Sequence, residues 1–154
     1  MSSNQKSLFY TEIIKKSHDA FREFLTHLPE DILTWKIHES LYKVDWIIQH
    51  VIHDQVWIIN VILDNKEEGH HFEEKEEGLS LEDMIEAYDD MVMNVESKLD
   101  NLQDKQLSEP RSYKNYSLTV EDWLFEYIHH LNHHGGEIGL ILAGWKRKQR
   151  SLKD

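Results

Sequence analysis

Only two prolines, Pro29 and Pro110, interrupt a chain of 154 residues, and four of its six glycines fall in the last quarter. Proline and, less severely, glycine are the residues that break helices, so long helices are permitted almost everywhere. From about Asn4 to His27 the apolar residues Leu8, Phe9, Ile13, Ile14, Ala20, Phe21, Phe24 and Leu25 recur at helical spacing, and Leu28-Pro29-Glu30 ends that helix. A segment with turn character then carries Trp35. The stretch from Val44 to about Leu63 is too long for a strand and reads as a helix buried on more than one face. Asn65 to Gly78 is charge-rich, holds two glycines and reads as a solvated loop. Ser80 is an N-cap for a third helix, whose narrow apolar stripe runs from Leu81 through Met84, Tyr88, Met91 and Val95 to Leu102. Pro110 lies in a polar connector. Thr119-Val-Glu-Asp122 resembles a capping box, with Leu118 placed to staple against Trp123, and a fourth helix runs from there to about Gly144-Trp145. No strand signal competes. The expected fold is all-α, a four-helix bundle. Its connectors of about 15 residues exceed the roughly 2–8 usual between antiparallel neighbours, so at least one crossover connection is expected.

Composition narrows the class further. The length suits one domain, taken as residues 1–154, and 5 Trp, 6 Tyr and 5 Phe argue against a disordered polymer. Seventeen Lys plus Arg against 29 Asp plus Glu give a net charge of -12, which repels phosphate backbones and anionic lipid. Neither nucleic acid nor a membrane surface is expected as a partner. The apolar run Val56–Leu63 is far short of the ~20 residues a spanning helix needs. There is no cysteine, hence no disulfide framework and no thiol nucleophile, and the first residues lack the apolar core of a signal peptide; the expected compartment is the cytoplasm.

The unusual figure is 11 histidines, four of them between His129 and His134. Two pairs at i, i+4 interleave on the fourth helix, and each pair shares a face that can chelate one ion. His130 and His134 lie on the apolar line Trp123, Tyr127, Ile138, Ile141, whereas His129 and His133 lie with Asp122 and Glu126 on a mostly polar side. Imidazoles on a buried stripe need polar partners, since an unsatisfied buried polar group costs roughly 1–3 kcal/mol. On the second helix His50 shares a line with Trp46, Trp57 and Val61, with His53 one turn on. Three imidazoles from two helices leave an open coordination position, as catalytic metal sites do; core histidines held only by hydrogen bonds fit the same spacing. His70-His71 reads as part of the solvated loop, Met84, Met91 and Met93 as core filling, and the basic tail Lys146–Arg150 as a complement to the helix C-terminus.

Trp35, the stretch Val44-Asp-Trp-Ile-Ile-Gln-His50 with Trp57 after it, and the closing His130-Leu-Asn-His133-His134-Gly-Gly-Glu-Ile138 resemble the DinB/YfiT-like superfamily of bacterial four-helix metalloproteins over nearly the whole chain. That family carries one His on the second helix and a His-x-x-x-His pair on the last, commonly continued as His-Arg-Gly-Gln-Ile. The resemblance implies His50, His130 and His134 as metal ligands. It also implies an up-down-down-up bundle, a homodimer, and zinc, nickel or a similar divalent ion. Gly135 stands where Arg is common and Glu137 where Gln is common.

The resemblance further implies a metal-dependent thiol S-transferase, using a low-molecular-weight thiol such as bacillithiol or mycothiol, or a hydrolase acting on a small-molecule substrate. The ion lowers the pKa of bound water from about 15.7 to about 7, or holds a thiol of free pKa ~8.5 as its thiolate. Asp54 and Glu137 are candidate bases only because each is near a proposed ligand, and no catalytic residue is assigned. The alternative is a non-catalytic metal or small-ligand binding protein of a stress-response type. A di-iron bundle would need matching inward ligands from more helices; Glu126 with His129 has the Glu-x-x-His spacing, but the first and third helices offer no partner set.

Overall fold

In the computed structural model, which describes residues 4–66, 75–113 and 115–153, the four periodic segments are four helices: α1 (Gln5–Thr26), α2 (Val44–Asp64), α3 (Leu81–Leu99) and α4 (Val120–Ser151). The N-cap expected at Ser80 and the capping box expected at Thr119 both form, each as a full capping box, Ser80 with Asp83 and Thr119 with Asp122. Each satisfies backbone N–H groups that a helix start leaves without intrahelical acceptors. α1 and α3 also receive caps from distant residues. Asp104 accepts from Ser7 N at 2.7 Å and Lys6 N at 3.2 Å, and Glu30 accepts from Leu81 N at 3.1 Å.

α1 packs beside α3 and α4, and α2 likewise packs beside α3 and α4, so the sequential pairs α1/α2 and α3/α4 sit on the diagonals. Side-chain pairs fix the directions. Lys15 meets Asp100 and Arg22 meets Asp89, which makes α1 and α3 antiparallel. Lys6 meets Glu121 and His18 meets Tyr127, so α1 and α4 run parallel. Gln49 bonds Glu76 just before α3 while Lys98 bonds Asp64, so α2 and α3 run parallel, and His50 against His130 with Trp57 against Trp123 makes α2 antiparallel to α4. The order is therefore up-down-down-up. The connection from α2 to the parallel α3 must return along the bundle, which accounts for its length; its residues His70 and His71 lie outside the described residues.

α2 is the most buried element, with more than half of its residues inside, including Ile47, Ile48, Val51, Trp57, Ile58 and Ile62. This is the all-round burial that its unbroken apolar composition predicts. Met84 and Met91 fill the core as expected, but Met93 is 71% exposed.

Three details differ from the expectations. A two-stranded antiparallel hairpin, β1 (Pro110–Tyr113) and β2 (Tyr116–Thr119), occupies the connector read as strand-free. Four-residue strands are too short to show a period of two. What holds this hairpin is tertiary: Arg111 Nε donates to the Ile62 carbonyl at the end of α2 (2.8 Å), and Trp123 Nε1 donates to the Arg111 carbonyl (3.1 Å). α3 ends at Leu99, three residues early, and Leu102 is buried beyond the helix. α4 runs past Gly144 to Ser151. There glycine serves close packing, since a Cβ on Gly144 would lie 3.1 Å from Ile37 Cδ1 and 3.4 Å from Trp35.

A polar cluster inside the core ties α1 to both of its neighbours. His18, 1% exposed, places Nδ1 2.9 Å from Glu96 of α3 and Nε2 2.7 Å from the Tyr127 hydroxyl of α4, and Tyr88 donates to its backbone carbonyl at 3.0 Å. Burial pushes the His18 pKa down, and Glu96 only partly offsets this. A lowered folded pKa means that the folded state favours the neutral ring. The resulting stabilisation is present above the unfolded value of about 6.5 and is lost as pH falls toward and through the lower folded value. Urea unfolding midpoints should accordingly be lower at pH 5 than at pH 7.5, and His18→Gln, which cannot titrate, should narrow that gap while lowering stability at pH 7.5.

Candidate metal centre

The antiparallel packing of α2 on α4 sets His50 opposite the pair His130 and His134. One helical turn separates the last two, so both project from the same side of α4. His50 Nε2 and His130 Nε2 lie 3.3 Å apart, and the ring centroids of His134 are 4.8 Å from His50 and 4.5 Å from His130. One nitrogen from each of the three rings falls within 4.8 Å of the others. All three are mostly covered, with 20%, 20% and 12% of their side chains exposed in chain order. Asp54, one turn past His50, is equally covered and points its Oδ2 at the same place.

Burial pushes the His50 pKa down to about 4; Asp54 opposes the shift, while His134 and His130 add to it. His134 is also lowered, again by burial first, against the opposing hydrogen bond from Glu137. Both rings are therefore neutral at pH 7, with one lone pair each, which is the state a metal ion requires. Glu137 selects which nitrogen of His134 carries it. Its Oε2 is 2.8 Å from His134 Nδ1, so Nδ1–H donates to the carboxylate and Nε2 is left as the acceptor or ligand atom. His130 Nδ1 is buried with no hydrogen-bond partner among the described residues.

One flank of the centre is aromatic. Trp46 stacks on His50 at 5.0 Å and on Tyr42 at 3.8 Å, and the Lys75 ammonium sits 3.5 Å from the Trp46 ring centroid. Gln49 holds Lys75 there through a reciprocal pair with the Glu76 backbone, 3.0 Å to the carbonyl and 3.1 Å from the N–H. A cleft of ≈ 270 Å³ opens between Tyr42, Trp46, Gln49 and Lys75.

The remaining histidines fall elsewhere. His53, His129 and His133 are exposed. His133 joins His134 and Glu137 in a second, more open grouping, and the Glu126 carboxylate comes no nearer to His129 than 3.9 Å. Among the described residues every group of ligating side chains lies on α2 and α4, so the set that a di-iron bundle would draw from α1 and α3 is missing. Gly135 needs no special backbone: a Cβ there would make an ordinary 3.5 Å contact with Phe21.

A family description for the DinB superfamily matches residues 13–138, most of the chain. The protein belongs to the DinB superfamily. Solved structures with the same fold include a DinB-like protein from Bacillus subtilis at 15% identity and a TM-score of 0.72, covering 89% of this chain and 92% of that one. A DinB-like protein from Bacillus cereus is 17% identical with a TM-score of 0.72 over 87% of this chain and 89% of its own. A conserved protein from Enterococcus faecalis is 15% identical with a TM-score of 0.65, over 90% and 96%. No curated protein matches the chain. At such identities these DinB likenesses speak for the fold, and the chemistry has to be argued from this chain's own side chains.

The Glu137 contact has a direct readout. Long-range proton–nitrogen correlation spectra of the metal-free protein at pH 7.5 should show His134 as the Nδ1–H tautomer, and Glu137→Ala should erase that preference. A predominant Nε2–H tautomer in the unmodified protein would contradict the arrangement.

Proposed function

We propose that this DinB-superfamily protein is a divalent-metal-dependent enzyme, of the thiol S-transferase or hydrolase class, in which His50, His130 and His134 hold the ion. The observation that carries the proposal is the convergence of three largely covered imidazoles, two of them at 3.3 Å, from two different helices. Ligands about 2.0–2.1 Å from a tetrahedral ion stand roughly 3.3–3.4 Å apart, so the spacing of His50 and His130 fits one shared ion. Neutral rings at pH 7 and the carboxylate behind His134 support it further. When bound, the ion supplies Lewis acidity toward a thiol or a water. The chain's own contribution is positional. Glu137 orients His134 and Trp46 packs flat on His50, while the cleft beside Trp46 is lined by none of the three histidines. Three imidazoles suit zinc and nickel alike, and these are the ions proposed.

No helix among the described residues is long and apolar enough to cross a membrane, and the proposal places the enzyme in the cytoplasm, acting on a small molecule with no nucleic-acid partner. Zinc or nickel titration should give one ion per chain. His130→Ala with His134→Ala should abolish stoichiometric binding and His50→Ala should weaken it severely, whereas His129→Ala with His133→Ala should leave it nearly intact. The loaded protein should accelerate thioether formation between an electrophile such as monochlorobimane and bacillithiol, mycothiol or glutathione. Binding with no acceleration for any thiol and no hydrolysis of model esters or amides would favour a non-catalytic metal-binding protein.

The proposal also includes a homodimer. Sedimentation equilibrium should report twice the chain mass of 18.4 kDa at micromolar concentration; monomer throughout that range would remove it.

A further inference from the structure

Asp54 occupies the position one helical turn after His50, and its carboxylate is among the few acidic groups that the bundle buries. Its Oδ2 lies 3.2 Å from His130 Nε2 and 3.5 Å from His50 Nε2, and those two nitrogens are 3.3 Å from one another. Three donor atoms thus form a nearly equilateral triangle, tighter than the three-histidine set, whose members are gathered only within 4.8 Å.

Hydrogen bonds and a shared cation are two accounts of such a triangle. A neutral imidazole nitrogen either carries a proton or offers a lone pair. If both Nε2 atoms donate to Asp54, one carboxylate oxygen takes two N–H groups that stand 3.3 Å apart. If one Nε2 accepts from the other, its lone pair also points toward a buried carboxylate at 3.5 Å or less. A single cation satisfies all three atoms at once, because each then presents a lone pair to it. The edges match as well: nitrogen and oxygen ligands about 2.0–2.2 Å from a tetrahedral ion are separated by roughly 3.3–3.6 Å.

We infer that Asp54 is a fourth protein ligand, completing a site of three histidines and one carboxylate with His134 as the remaining donor. The inference rests on the metal-site reading above and changes its character. Four protein donors leave no vacant tetrahedral position, so a thiol or water reaches the ion only by raising its coordination number or by displacing the carboxylate. The anionic donor also lowers the formal charge of a divalent site to one positive unit.

Cobalt(II) is the probe for the test, because its visible spectrum reports coordination number and its affinity is measurable by chelator competition. Asp54→Ala and Asp54→Asn should each weaken cobalt binding by at least about tenfold, the lower end of what is lost when a residue that only orients a ligand is removed. Both should lose intensity or shift in the visible bands, and both should bind azide more tightly than the unmodified protein. Asp54→Glu, which restores a carboxylate, should recover most of the affinity. Retention of the original affinity and spectrum in Asp54→Asn would overturn the inference, since a carboxamide oxygen still accepts hydrogen bonds and preserves a purely orienting role. If Asp54→Ala fails to fold, Asp54→Asn and Asp54→Glu decide the question. Should the unmodified protein take up no cobalt, zinc or nickel, the metal-site reading falls and this inference with it; uptake by the unmodified protein with no change in either variant removes this inference alone.

Discussion

The antiparallel packing of α2 against α4 is the constraint on which the candidate site depends. Trp57 meets Trp123 edge to face at 6.1 Å, and the buried Gln55 carboxamide reaches the Tyr127 carbonyl at 3.5 Å. Large apolar rings packed edge to face fix register well, because a shift opens a void between them. Sliding one helix by a turn, about 5.4 Å, would carry His50 past His130 altogether. The same register that closes the core therefore brings the imidazoles together.

α1 and α3 support this pair from the other side. His18 joins Glu96 and Tyr127 in a polar cluster that spans three helices, three residues upstream of His130 on α4. A buried network of this kind is stabilising only when each member is satisfied, which restricts how α1 can rotate or slide. The long-range caps from Asp104 and Glu30 act at the helix ends in the same way, and the hairpin occupies the end of α2 through Arg111. Loops in this protein do more than connect: they supply acceptors and donors that the helix termini lack.

At the centre itself two effects oppose each other. Burial disfavours charge on His50 and His134, while the Asp54 and Glu137 carboxylates favour it. Burial wins at both rings, and neutral imidazoles beside anionic oxygens are a suitable environment for a divalent cation. Glu137 is hydrogen-bonded to the Nδ1 side of His134, and a carboxylate so placed increases the basicity of the other ring nitrogen.

The helices were legible in the sequence because helix starts and apolar periodicity are local properties: Ser80 and Thr119 cap where expected, and α1 and α2 begin and end within a residue or so of the periodic segments. The inward facing of His130 and His134 and the outward facing of His129 and His133 were legible too, since facing follows from the 3.6-residue period once the apolar line is known. His18 carried a weaker signal, as a polar residue in line with Ile14, Phe21 and Leu25, but nothing local named Glu96 or Tyr127 as its partners. The hairpin and the aim of Asp54 depend on residues dozens of positions away, and so only the tertiary structure decided them. Local sequence determines which face a side chain occupies; what that face meets is set by how the helices pack, because the distances that matter to a proton or an ion are fixed only when two elements are held against each other.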